Sequence, residues 1–295
     1  MIDLRYHIYS IAAVFFALAV GIVIGSSFGK GGIYTENERK AIKRYERNMI
    51  ALKNQINEAS KKAAQTEERA KHYDDFGRIV LPILLKDKLE WRNVAIIRTG
   101  DNEELSGVVK KTLELAGAAV PSVTEFNLDY DYKNEKKINK ILKDNKLPTS
   151  EDGQISLETI FRILAENIST TKHANSLKYL EQAEIAVFNG DYNRASGRVV
   201  LIGGLKYDNE ELPNLIDTKL IKQLQNAGIA VVGVESSNAK SSYISAWKKM
   251  GIATIDNIDM PMGQIALVYA LLGEKDNFGI KETADRFMPQ IMEKN

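Results

Sequence analysis

From Ile8 to Phe28 the chain runs IYSIAAVFFALAVGIVIGSSF, 21 residues without a charge. At 1.5 Å per residue, a helix of that length covers the roughly 30 Å hydrocarbon core of a bilayer. The sequence therefore predicts one transmembrane helix over residues 8–28, preceded by a short flank, residues 1–7. A cleavable signal peptide is the competing reading, because Gly25 and Ser27 are small enough for a cleavage site. The apolar part of such a peptide usually has only about 7–15 residues, which favours the retained anchor. Ala17, Gly21, Gly25 and Gly29 recur at every fourth position. Such a ridge of small residues would let two helices approach closely in lipid, although glycine is also common in membrane helices generally. Arg5 argues for a cytoplasmic start, while Lys30, Arg39, Lys40 and Lys43 pull the positive charge the other way. Local charge leaves the sidedness open.

After the break Gly29-Lys30-Gly31-Gly32, apolar or small residues fall at Ile42, Tyr45, Met49, Leu52, Ile56, Ala59 and Ala63, in alternating steps of three and four. This is a heptad seam, and it predicts a coiled-coil stalk over 36–75 through which a homodimer forms. The seam fades through Thr66, Ala70 and Tyr73. Between Glu36 and Asp75 there are 10 basic and 8 acidic residues, a mixed-sign surface suited to a solvated two-stranded coil. A helical hairpin folded back on the remainder of the chain would give a similar pattern.

Residues 79–295 are long enough to bury a substantial core. The run from Asn93 to Asp101 reads as a buried strand, Glu103 to Ala118 as a helix, and Val120 to Phe126 as a second strand, together a βαβ unit. Asp129 to Lys146 reads as an exposed, Lys- and Asn-rich insertion. Its lysines lack the aromatic or Gly-rich platform of a nucleic-acid site, and 40 basic residues against 39 acidic ones create no global field to attract nucleic acid. A helix from Ser156 to Ser169 follows. Then strands at Glu184–Asp191, Arg198–Leu205, Gly228–Ser236 and Ile252–Asp259 alternate with helices at about Asn214–Ala227 and Ser242–Met250. Near-continuous apolar strands between helices imply an α/β domain with an open, mainly parallel sheet of roughly six strands, covered on both faces and of Rossmann or flavodoxin-like type. Ligands in such sheets generally sit at the carboxyl ends of the strands.

Those predicted ends supply the candidate ligand-binding residues Asp101, Asp191, Gly203, Gly204, Glu235 and Asp256. Gly203-Gly204 lacks the flanking pattern of a phosphate-binding loop and reads equally as a turn needing unusual dihedrals. No G-x-S-x-G occurs, and no histidine stands near a strand end to activate Ser236 or Ser237. The absence of cysteine excludes disulfides, thiolate metal sites and a Cys nucleophile. His7, His72 and His173 are too scattered for a preformed three-His site. Neither a catalytic residue nor a cofactor is predicted. The most distinctive segment is Asp256-Asn257-Ile258-Asp259-Met260-Pro261-Met262-Gly263. Asp259 stands where a helix N-cap belongs, before the apolar run Ile265–Leu272, and Pro261 fits a first helical turn. Met260 and Met262, like Met288 and Met292, carry thioethers that could meet Cu(I), although methionine beside proline or on a helix face serves packing equally well.

The opening MIDLRYHIYSIAAVFFALAVGIVIGSSF and the late stretch Ser242–Gly273, with its D-N-x-D-x-P-x-G order at Asp256, Asn257, Asp259, Pro261 and Gly263, resemble the MctB-type copper transport proteins, also classed with SteB-type cell-envelope proteins. Where the family pattern has Thr before the proline, this chain has Met260. The resemblance implies a single-pass protein of the cell membrane with an extracytoplasmic domain. It also implies a link to copper efflux and an outer-membrane location in mycobacteria, and to envelope integrity and septation through a membrane partner in related actinobacteria. Copper enters by resemblance alone. A pore does not follow, since one helix cannot enclose a channel. The reading is a dimeric, membrane-anchored envelope protein that lies in the bilayer and binds a membrane or envelope protein partner. The alternative is a small-ligand-binding or hydrolytic enzyme using the strand-end crevice around Asp101, Asp191 and Asp256.

Overall fold

The computed structural model describes residues 4–29, 36–144, 156–172, 174–209 and 211–290. The Lys30-Gly31-Gly32 part of the predicted break, His173 and Met292 lie outside these residues. The chain divides into two compact units, Met1–Ala70 and Lys71–Asn295.

The first unit holds helix α1 (Leu4–Gly29) and most of helix α2 (Glu36–Leu85). Within α1, residues His7–Ser27 form a stretch long and apolar enough to cross a bilayer, with a mean hydropathy of 2.5. The heptad positions of α2 face solvent in the single chain: Ile42 is 41% exposed, Tyr45 72%, Met49 68%, Leu52 53% and Ile56 56%. The helix continues past Asp75. Its last turns belong to the second unit, where Leu81 and Leu85 are buried, and a Cβ at Gly77 would overlap the Pro261 ring.

The second unit is built on seven strands: β1 (Val94–Arg98), β2 (Ser122–Phe126), β3 (Ala186–Gly190), β4 (Arg198–Ile202), β5 (Ala230–Val234), β6 (Ala253–Ile255) and β7 (Asn277–Phe278). Their order is β3-β2-β1-β4-β5-β6-β7, and every neighbouring pair is parallel except β2–β3. Alternation along the central strands feeds two cores, as the period of two requires. Ala95, Ile97, Val199, Leu201 and Val231 join one core with helices α5 (Leu157–Thr170), α7 (Thr218–Asn226) and α8 (Ile244–Lys249). Val94, Ile96, Val200, Ile202 and Val232 join the other with the end of α2, helix α3 (Glu104–Leu115) and helix α9 (Pro261–Leu272). The sheet is thus covered on both faces, and α3 joins the parallel pair β1 and β2 as the βαβ reading expects.

Three local expectations need correction. The stretch after Asp129 is not simply an exposed insertion: it contains helix α4 (Glu135–Asp144), and Tyr130, Tyr132 and Ile138 are buried in the first core while its lysines stay outside. Helix α6 (Ala174–Gln182), which buries Leu177 and Leu180, was not predicted. A seventh strand also exists. β7 has two residues, too few for any periodicity, and forms because Asp256 N–H donates to Phe278 O (3.2 Å) beside a buried Phe278 ring.

Candidate functional site

Strand order reverses between β1, which leads to β2, and β4, which lies on its other side. That switch point is where an open α/β sheet usually binds a ligand. Here it is closed by backbone. Thr99 N–H and Gly100 N–H both donate to Ile202 O (2.8 and 3.1 Å), and a Cβ at Gly100 would fall 2.5 Å from Gly204 O. Asp101 Oδ2 accepts the Lys206 N–H (2.9 Å). The remaining cavity, lined by Asp101, Gly203, Gly204, Ser236 and Asn238, has a volume of about 30 Å³, space for about one water. Gly204 has φ +82°, the turn reading of the glycine pair, and Gly203 lies under Tyr243 and Trp247, whose rings fill the place of a Cβ.

Glu235 and Asp256 immediately follow β5 and β6 and are buried. Glu235 accepts hydrogen bonds from Ser242 Oγ (2.7 Å) and Tyr243 N–H (2.8 Å), and pairs with Lys281 Nζ (2.6 Å). Burial pushes its carboxyl above the ordinary range, and the Lys281 charge pulls it back. Asp256 accepts from the backbone N–H groups of Ile280 and Lys281 (2.8 and 2.9 Å), which ties the chain after β7 to the sheet. Gly279 is required there, since a Cβ would overlap the Asp256 carboxylate.

The rest of the distinctive segment serves the same joint. Asp259 does not cap α9, contrary to the expectation. The N-cap position belongs to Met260, without a side-chain bond, while Asp259 accepts from Ser237 N–H (2.7 Å) and Ser237 Oγ (2.6 Å). Pro261 does open the helix. Gly263 lets α9 approach so closely that a Cβ would overlap Asn257 O, and the buried Asn257 amide has no hydrogen-bond partner among the described residues. Met260 and Met262 are half-buried at the start of α9.

Asp191 lies apart from these groups. The sequence reading placed it at the common carboxyl edge, but β3 runs antiparallel to β2, so its end reaches the opposite edge, where Asp191 N–H donates to Pro121 O (2.8 Å). The structure therefore does not assemble Asp101, Asp191 and Asp256 into one crevice. Among the described residues, no group of three or more His, Cys, Asp or Glu side chains is placed to hold a metal ion.

Two features escaped the sequence reading. Asp217 is completely buried, accepts from Thr99 Oγ1 (2.7 Å) and Trp247 Nε1 (3.3 Å), and is pushed up to about 7 by burial. Its spacing to Leu220, Ile221 and Leu224 on a buried helical face was the available signal. The second is a groove of about 810 Å³ at the carboxyl ends of β1 and β2, where the candidate Asp101 meets Arg98, Glu125, Asp129, Glu184 and Tyr207. Asp101 was legible at its strand end, whereas the opposite wall needs β3 folded against β2 and has no local signature.

Against known proteins, the chain matches the family model described as "Copper transport outer membrane protein, MctB" over residues 1–289. It is similar to the copper transporter MctB of Mycobacterium tuberculosis (strain ATCC 25618 / H37Rv), 23% identical over 297 residues and 92% of each chain. It is likewise similar to the copper transporter MctB of Mycobacterium leprae (strain TN), 24% identical over 308 residues and 92% of each chain.

Proposed function

Since this chain belongs to the MctB family, we propose that it serves copper transport as a membrane-anchored, dimeric partner-binding protein of the cell envelope and not as a pore. The observation that carries this reading is the row of exposed apolar side chains on α2, Ile42, Tyr45, Met49, Leu52 and Ile56, at heptad spacing. In water such a row favours burial against another helix. A parallel, in-register second copy suits it best. The g and e positions then bring Lys62 opposite Glu67 and Arg69 opposite Asp74 across the pair, with like charges nowhere opposed along the seam. The seam ends near Asp74 because Gly77 and Leu84, which continue it, pack within the second unit.

The apolar segment His7–Ser27 supplies the anchor in this proposal. The domain supports a binding role more than a conducting one: its strands are covered by helices on both faces, whereas barrel strands alternate between lipid and lumen. At the strand ends Asp101 and Asp256 accept backbone N–H groups and Glu235 pairs with Lys281, and the cavity lined by Gly203 and Gly204 has room for about one water. Copper is the cargo of the process, handled by the partner.

The test replaces both Leu52 and Ile56 with Asp in the full chain, in cells of the source organism challenged with copper. Cross-linking and co-purification should lose the partner, and copper tolerance should fall toward that of cells without the protein. Full tolerance with the double variant at normal abundance would overturn the proposal.

A further inference from the structure

The amino-terminal edge of the sheet presents Trp91, 92% exposed, the highest exposure of any large apolar side chain among the described residues. Its backbone is left-handed, φ +63°, a strained conformation for a bulky side chain. The turn is locked around it. Leu89 is fully buried, Leu89 N–H donates to Ala116 O (2.7 Å), Arg92 N–H to Leu89 O (3.1 Å), and Ala119 N–H to Arg92 O (2.9 Å). A strained backbone that holds an indole in solvent gains nothing for the fold, and strain of this kind gathers at sites of function.

Beside the indole is a depression of about 370 Å³, within the range of small-molecule sites, lined by Glu90, Trp91, Arg92, Asn93, Gly117 and Arg194. Arg194 is exposed and Arg92 half-buried, and neither makes an ion pair or side-chain hydrogen bond among the described residues. Arg198, the first residue of β4, stands at the same edge, where burial and then the Arg92 charge lower its pKa. The guanidinium groups at this edge outnumber the single Glu90 carboxylate of the lining and favour an anion, which they can hold through paired N–H donors. A free aromatic face beside them favours a ring whose C–H bonds can lie on it, as those of a pyranose do. Concavity separates the site from a membrane-inserting tip, and the indole separates it from a simple phosphate site.

We propose that this depression binds an anionic saccharide, with the sugar ring on the Trp91 indole and its phosphate or carboxylate between Arg92 and Arg194. The chain has two tryptophans, and Trp247 is fully buried, so emission changes on adding sugar report on Trp91. The test titrates the full chain, in a sugar-free zwitterionic detergent, with N-acetylglucosamine 1-phosphate, N-acetylmuramic acid, neutral N-acetylglucosamine and inorganic phosphate. The two anionic sugars should quench saturably, at least tenfold more tightly than the neutral sugar or phosphate, and more weakly as salt is raised. Trp91→Gly relieves the left-handed strain and removes almost no buried surface, so it should fold and yet lose at least tenfold in affinity by calorimetry. Arg194→Gln should lose at least fivefold. Phosphate bound as tightly as the sugar phosphate, the neutral sugar bound as tightly as the anionic ones, or undiminished binding by Trp91→Gly would each overturn the proposal.

Discussion

Lys281 Nζ lies 2.6 Å from Glu235 Oε1, and the carboxylate it meets has no exposed surface, whereas the lysine side chain keeps 21% of its own. The pair joins the end of β5 to the segment after β7, whose backbone Asp256 also holds. Removing one partner of a buried pair leaves a charge without compensation, at a typical cost of about 3–5 kcal/mol. Lys281→Met should therefore destabilise the domain by that order in urea unfolding. The loss should be larger at pH 8 than at pH 5, because the folded-state pKa of Glu235, already raised by burial, rises further without the lysine. A raised carboxyl stabilises the fold while protonated and loses that contribution as pH climbs through the folded value. Adding Glu235→Gln should recover part of the loss. A cost under about 1 kcal/mol would show that Lys281 is dispensable.

Asp217 supplies a second pH dependence. Its pKa rises from 3.8 to about 7 on burial, so folding takes up a proton between those values. Stability from this group is fully present below pH 3.8 and is lost as pH rises through about 7. At about 1.4 kcal/mol per unit, the ceiling is about 4 kcal/mol. Asp217→Asn keeps an oxygen for Thr99 and Trp247 and cannot ionise. The difference between wild-type and variant stability should therefore slope across that window and be flat above pH 8. A difference independent of pH would mean that Asp217 is ionised in the fold throughout.

The stalk makes a third prediction. The chain from Glu36 onward should scatter light as a dimer, and Leu52→Asp with Ile56→Asp should give a folded monomer, since charge buried in a seam costs several kcal/mol. In a single chain both positions are more than half exposed, so the substitutions would then change nothing. A monomer before substitution, or a dimer after it, would rule out association through α2.

Copper binding by the domain gives a fourth. Tight Cu(I) sites gather thiolates, thioethers or imidazoles. The chain has no cysteine, His72 is exposed on α2, and Met260 and Met262 are half-buried where α9 begins. In competition with a calibrated Cu(I) chelator, the chain from Glu36 onward should retain no stoichiometric copper. One equivalent retained, and lost when Met260 and Met262 become Leu, would make the Met260-Pro261-Met262 turn a ligand.

By itself, the sequence determined what local periodicity can encode: the uncharged run of α1, the seam on α2, and apolar strands alternating with helices in a sheet covered on both faces. Each signal lies within a few residues of itself. Only tertiary structure decided where polar side chains point and which way an edge strand runs. An alternating or apolar run looks the same in either direction, so pairing with β2 alone sends Asp191 to the edge opposite Asp101. Asp259 sits where a cap would, but Ser237, 22 residues earlier, meets it instead. Glu235 finds its cation 46 residues away. Trp91 reads as one more apolar residue until the turn anchored by Leu89 holds it in solvent. Burial patterns are written in neighbouring residues, whereas a buried charge must find its partner wherever the fold brings one within hydrogen-bonding distance.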